Sequence, residues 1–357
     1  MNYLIVTYDE YRNMPYIKNY VDQINTERDH YDIVLWNRSG QDKEPEYGIV
    51  FHAKAGASKL GKLLPFLRWR RFVCRLLKRG KYDRLIVITT LPAVLLADRL
   101  LKEYRFRFWL DVRDYTYEGF AFYKRLVGHL SKNAAGVSIS SAAFQSFLPD
   151  DAKLYLTNNL TNAAFEKEHC SLDVDSTSIV IGYVGGIQYF EQNKELLRQL
   201  HGSRYLLKYV GKLHPGCDLR EYCRNRGIDN VEFQPAFYNV EKPRIYEHID
   251  IINSVYGADS PIVRLALPNK LYDCALFKIP ILVSRGTYLA KLVDDYSLGL
   301  AVDLKTEKVD ECLDRYLRAF DKDKFERGCR AFLKMAREED IEYRAAVTRF
   351  CAGGADL

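Results

Sequence analysis

Short apolar runs recur along the chain with helix-patterned segments between them, and this alternation restricts the fold more than any other feature. Tyr3–Thr7, Asp32–Trp36, Ile49–Phe51, Leu85–Thr89, Phe106–Asp111 and Val137–Ser140 each read as a strand. Strands separated by about ten to twenty helical residues are joined by crossovers, so this half predicts βαβ units and a parallel sheet. A second series begins at Ile179-Val-Ile-Gly-Tyr-Val-Gly-Gly-Ile187 and continues through Leu206–Val210, Val231–Phe233, Ile249–Val255 and Ile279–Val283. The strand-like run Leu154–Thr157 closes the first series, and Ser171–Ser178 between the two series reads as a linker. A chain of 357 residues is too long for one ordinary core, and two domains are expected. Ligands of parallel sheets bind beyond the carboxyl ends of the strands, which directs attention to residues 8–15, 90–92, 111–119 and 138–141. The first of these turns lacks the Gly-x-Gly-x-x-Gly pattern of a dinucleotide fold, which counts against an NAD or FAD enzyme.

The most informative stretch of the second series is Leu265-Ala-Leu-Pro-Asn-Lys-Leu-Tyr-Asp273, which leads into the run Ile279–Val283. Pro268 suits the first turn of a helix, where its missing N–H costs nothing. Leu271, Ala275 and Leu276 then recur at helical spacing. Lys270 and Asp273 are three residues apart and share a face. A lysine in an N-terminal helical turn attracts phosphate, and a carboxylate one turn on can accept ribose hydroxyls. The same pattern also fits a capped surface helix with a solvated lysine. Upstream, Gly182, Gly185 and Gly186 lie at a strand end, where glycine lets a ligand approach the backbone or simply makes the turn. Asn193 is the expected N-cap of the helix that follows.

Composition enters through charge. The formal charge of +6 comes from the first half, the remainder being slightly acidic. Residues 59–81 hold Lys59, Lys62, Arg68, Arg70, Arg71, Arg75, Lys78, Arg79 and Lys81 and no acid, interleaved with Leu, Phe and Trp69. A basic helix with such an opposite face can lie in the interface of an anionic membrane. It can equally be a domain helix with a core stripe, or a nucleic-acid patch, though no recognition motif accompanies it. Nothing resembles a signal peptide and no apolar run approaches the length of a bilayer span, so a cytoplasmic protein is expected. Eight cysteines without Cys-x-x-Cys pairs, and few histidines, point to reduced buried thiols and no metal site.

Asp111-Val-Arg-Asp114 follows the run Phe106–Leu110. Two carboxylates flanking Arg113 at a strand mouth fit a sugar's hydroxyls, or fit each other and a helix cap.

Taken in order, five segments carry a resemblance. They are the Gly185-Gly186 turn, Tyr209-Val-Gly-Lys212, Asn230-Val-Glu-Phe-Gln-Pro235, Ile245-Tyr-Glu-His-Ile-Asp250 and Pro268–Ser284. This series resembles the nucleotide-binding half of bacterial GT-B glycosyltransferases, in particular family 4-like enzymes of capsule and O-antigen assembly. The resemblance implies an α/β GT-B fold, two Rossmann-like domains facing across a cleft. The expected division is 1–165 for the acceptor, rejoined by a C-terminal helix over 340–357, and 166–339 for the nucleotide sugar. The implied activity is transfer of a sugar, with retention and without a metal, from a nucleoside-diphosphate donor to a saccharide that is lipid-linked or free. In that scheme Lys270 neutralises the diphosphate, Asp273 holds the ribose, and Gly185, Gly186, Lys212 and Asn269 complete the donor site. Asp111, Arg113 and Asp114 orient the acceptor or the donor hydroxyls. The sequence implies no cofactor beyond the nucleotide sugar and no nucleic-acid partner. Arg68, Trp69, Arg70, Arg71 and Arg75 are the candidate membrane or acceptor contacts. Three positions depart from the family pattern. Asp stands at 273 where the family has Glu, Leu265 replaces a second glutamate, and Gln188 and Tyr189 stand where an arginine usually follows the glycine turn. Two rival functions remain, a nucleotide-sugar epimerase of the same fold and a catalytically idle partner subunit.

Overall fold

The computed structural model describes residues 1–37, 48–53 and 59–353. The chain forms two compact units, Met1–Asn158 with Glu338–Leu357, and Asn159–Arg337. The segment 159–165, expected in the first unit, belongs to the second because Asn162 donates to Asp273 and Leu160 and Ala163 pack on that unit's core.

The first unit is built on β1 (Asn2–Val6), β2 (His30–Asn37), β3 (Gly48–His52), β4 (Arg84–Ile88), β5 (Phe108–Val112), β6 (Gly136–Ile139) and β7 (Leu154–Leu156). All pairings are parallel and the order is β3-β2-β1-β4-β5-β6-β7. Both faces of the central strands are covered, which is why they read as unbroken apolar runs rather than alternating ones. Strand order reverses between β1 and β4, and such a switch point opens a crevice at the carboxyl edge. The helix Lys59–Gly80 joins β3 to β4 and buries Trp69, Val73 and Leu77 at four-residue spacing. Trp36, Trp69 and Trp109 are all buried here. The helix Lys322–Cys351 contributes its last turns to this core. Tyr343, Ala346, Val347 and Phe350 pack with Tyr20 and Trp109, and the Tyr3 hydroxyl donates to the Cys351 carbonyl.

The second unit carries β8 (Ile179–Val184), β9 (Tyr205–Val210), β10 (Val231–Gln234), β11 (Ile251–Ser254), β12 (Ile281–Ser284) and β13 (Gly299–Val302). They are parallel in the order β10-β9-β8-β11-β12-β13, with the switch point between β8 and β11. The strand β13 escaped the sequence reading. It is four residues long and opens on a glycine, so its β signal is weak. The helix after β8 spans Phe190–Leu200 and starts four residues earlier than expected. Asn193 is not its N-cap but lies inside it. There its Nδ2 donates to the carbonyls of Gln188 and Tyr189 at 2.7 and 3.0 Å, holding the preceding turn from within.

The helix Asn269–Phe277 buries every residue from Lys270 to Phe277. Such a helix is enclosed on all sides, so the reading of a surface helix with a solvated lysine is excluded. No helix among the described residues is long and apolar enough to cross a membrane.

Phe350 is fully buried, 5.6 Å from the Trp109 ring, with the Arg84 guanidinium over it. Phe350→Ala leaves a cavity in the core that the returning helix completes. Chemical denaturation followed by tryptophan emission should show a loss of about 3–5 kcal/mol.

Candidate functional site

At the carboxyl edge of the second unit, β8 ends in Tyr183-Val184 and the chain turns through Gly185 (φ 127). The Gly185 N–H donates to the Val210 carbonyl at 2.9 Å. Gly211 (φ 142) follows β9, and a Cβ placed there would sit 1.9 Å from the Gly185 carbonyl oxygen. Two turns from neighbouring strands thus touch backbone to backbone, which only glycine permits. Gly186 is exposed beyond this contact. Lys212 extends into solvent while its carbonyl accepts from Ile187 N–H.

Lys270, on the first turn of its helix, reaches under this edge. Its Nζ lies 3.2 Å from the centre of the Tyr183 ring and donates to the Tyr256 hydroxyl at 2.9 Å. Tyr256 follows β11 and stacks on Tyr189 with centroids 4.5 Å apart and planes 21° from parallel. Tyr189 stands where the resemblance leads one to expect an arginine, so an aromatic pair occupies the place of a cation. Lys270 is 5% exposed, and burial pushes its pKa well below the ordinary 10.5, with Asp273 opposing the shift and Lys242 adding to it.

Asp273, one turn along, is also buried, but points to different neighbours. Its Oδ1 accepts from Asn162 Nδ2 at 2.9 Å, and its Oδ2 accepts from Lys242 Nζ and the Tyr246 hydroxyl, both at 2.9 Å. A buried carboxylate with an ion pair and two further donors is well compensated. The structure therefore keeps Lys270 and Asp273 in one helical turn yet gives them separate partners. Asn269 is exposed at the helix start. Lys242, Tyr246, Tyr183, Tyr256 and Asn162 were all missed in sequence, because they meet the motif across separations of up to 111 residues. A further polar group, Asn253 Nδ2 at the end of β11, is fully buried and unbonded among the described residues.

In the first unit, Asp111 and Arg113 pair with each other. Arg113 Nε donates to Asp111 Oδ2 at 2.8 Å, and Ser138 Oγ donates to Asp111 Oδ1 at 2.9 Å. Arg113 also lies over the Tyr16 ring at 4.5 Å. Asp114 is exposed. Nearby, Glu118 is buried and accepts from Thr90 Oγ1 and the Thr116 N–H. Thr89, at the end of β4, holds φ 69, an expensive setting for a β-branched residue and one that clusters at functional edges.

On the basic helix, the structure corrects two assignments. Trp69 is fully buried and cannot meet a bilayer while the unit is folded. Arg70 is spent on the Leu95 carbonyl and on Asp98. Arg68, Arg71 and Arg75 are exposed, on one face with exposed Leu64 and Leu67. The side chains of residues 59–63, including Lys59 and Lys62, lie outside the described residues.

Comparison with solved structures settles the architecture. Sucrose-phosphate synthase from Thermosynechococcus elongatus superposes with a TM-score of 0.68 at 12% identity, over 98% of this chain and 97% of that one. The chain has the GT-B fold. Anabaena HepE in complex with UDP matches this GT-B chain at TM-score 0.67 and 13% identity, over 98% of it and 100% of HepE. UDP-N-acetylglucosamine 2-epimerase from Rickettsia bellii also matches, at 0.58 and 10% identity, over 98% of each chain. No family model and no curated protein matches the sequence.

Burial disfavours the charged form of Lys270 and so lowers stability at neutral pH. The unfolded chain holds the lysine proton up to about 10.5 and the folded chain releases it at lower pH. Between those values the unfolded state binds more protons, so wild-type stability rises with pH. Lys270→Met should raise the thermal midpoint at neutral pH, and the gain over wild type should shrink as pH approaches 10.

Proposed function

We propose that the protein is a glycosyltransferase that moves a sugar from a nucleoside-diphosphate donor to a saccharide acceptor. What carries the reading is Lys270, a buried amino group that among the described residues has no carboxylate of its own, at the switch point of a GT-B second unit. Structural neighbours include complexes with UDP, UDP-glucose and UDP-2-fluoro glucose. In the proposed site Lys270 meets the β-phosphate, where negative charge concentrates as the sugar leaves. A desolvated donor aimed at developing charge contributes several kcal/mol. The Gly185–Gly186 turn lets the diphosphate approach the backbone, with Asn269 and Lys212 at its exposed margin. Asp273 has about four acceptor positions and spends three on Asn162, Lys242 and Tyr246, so one is left for a ribose hydroxyl.

The finer points come with the resemblance. They are retention at the anomeric carbon, use of side-chain cations in place of a metal, and a polyprenyl-diphosphate-linked acceptor of bacterial surface polysaccharide. Asp114, open to solvent, is the group that would orient a hydroxyl, with Arg113 and Asp111 holding the loop that carries it. The exposed Arg68, Arg71 and Arg75 face would rest on the anionic inner leaflet of the plasma membrane beside a lipid-linked acceptor. A second reading, a nucleotide-sugar epimerase, is favoured only by the epimerase among the neighbours.

Calorimetric titration with UDP, GDP and ADP, followed by donor screening for hydrolysis or transfer, tests the first reading. Lys270→Ala should lose nucleotide affinity while keeping its circular dichroism, and unchanged affinity and turnover would remove the assignment. Conversion of free nucleotide sugar without any acceptor would instead establish the epimerase. Replacing Arg68, Arg71 and Arg75 together by Glu should cut co-sedimentation with vesicles containing anionic lipid by about a hundredfold or more, each basic residue being worth about 1 kcal/mol at such a surface.

A further inference from the structure

Among the described residues, the cage around Lys270 lacks a negative charge of its own. An ammonium has three donors and needs a counter-ion when it is out of water. The first element packed on Nζ is β8, which presents only the face of Tyr183. The segment after β11 presents the Tyr256 hydroxyl. Tyr189, stacked on Tyr256, adds another neutral ring. Neither nearer phenol supplies an anion. Burial pushes Tyr256 up to about 12 and Tyr183 higher still. On its own helix the lysine feels Asp273, but that carboxylate is paired with Lys242 at 2.9 Å and bonded by Tyr246. Lys242, from the helix Lys242–Tyr246, is a second positive charge that works against Lys270. A cation–π contact and one phenol oxygen orient an ammonium but do not balance it.

We propose, resting on the donor-site reading, that Tyr183 and Tyr256 position Lys270 as an uncharged amine in the empty site, and that a diphosphate entering the site brings one proton with it from solvent. The anion supplies the counter-charge that the cage withholds, so binding and protonation are a single event. A phosphate ester that carries less charge draws the proton less strongly, and the cage thereby discriminates between anions by charge rather than by shape. Tyr183 and Tyr256 act through the lysine and are positioning residues.

Titration calorimetry of the full chain with UDP at about pH 8, in two buffers of different ionisation enthalpy, counts the protons taken up. Wild type should take up close to one proton more per nucleotide than Lys270→Arg, whose guanidinium is always charged and in which the nucleotide's own titration is the same. UDP affinity of wild type should fall by up to about tenfold per pH unit above the free lysine's titration, while Lys270→Arg stays flat. Tyr256→Phe removes the one oxygen that accepts from the ammonium and should move the wild-type profile to lower pH. Should the arginine variant fail to fold, the absolute count for wild type serves at about pH 8, where a phosphate's last proton (pKa about 6) is already gone, and an uptake near zero overturns the proposal. UDP binding with equal proton counts in wild type and Lys270→Arg overturns the proposal and leaves the donor site standing. If no nucleotide binds, the donor reading fails. Inorganic pyrophosphate then decides the proton claim alone, and binding without uptake, or no binding, sinks it.

Discussion

A single desolvated lysine organises the second unit. Lys270 lies in a helix whose every following residue is buried, and that helix is fixed from outside by the three bonds made to Asp273. The two residues divide the work. The carboxylate is compensated and ties the helix to the 159–165 segment and to the helix Lys242–Tyr246, so it can be buried without loss. The lysine is uncompensated, and its burial is tolerable only because its neighbour's anchoring leaves the helix no freedom to expose it. The amine lies at the carboxyl edge of a parallel sheet, the edge at which ligands of such sheets bind.

The first unit reaches the opposite balance at the equivalent edge. Asp111 and Arg113 close on each other, with Ser138 on the carboxylate and the Tyr16 ring against the guanidinium, whose buried Nη2 has no partner among the described residues. Of the two readings open for that motif, mutual pairing holds for these two residues, and only Asp114 faces solvent. Beside this pair Thr89 holds a positive φ that is costly for a β-branched residue, and its N–H donates to the Asp111 carbonyl at 2.7 Å.

Much of this was legible in the residues. Apolar runs announce themselves, most of them buried on both faces, so twelve of the thirteen strands among the described residues lie where Val, Ile, Leu and aromatic residues cluster, Leu154–Leu156 among them. Only Gly299–Val302, short and glycine-led, did not. Helix starts were less legible, because Asn193 has the chemistry of a cap but uses it from inside the helix. Burial of long amphipathic side chains was least legible. Trp69 and Arg70 sit in a run of basic and apolar residues whose composition suits a membrane, and only the angular position of each on the helix separates core from surface. The lysine and the carboxylate of the donor motif were visible, but their partners were not. Tyr183, Lys242, Tyr246 and Asn162 carry no local pattern that ties them to residues 270 and 273.

The distribution of indole side chains has a practical consequence. All three tryptophans lie in the first unit, each buried, while the second unit holds tyrosines such as Tyr183, Tyr209, Tyr246 and Tyr256 and no indole. Red-edge emission therefore reports on one half of the molecule, and the far-ultraviolet signal on both. The chain carries its own pair of optical channels, through which the melting of each half can be followed without cutting or labelling it.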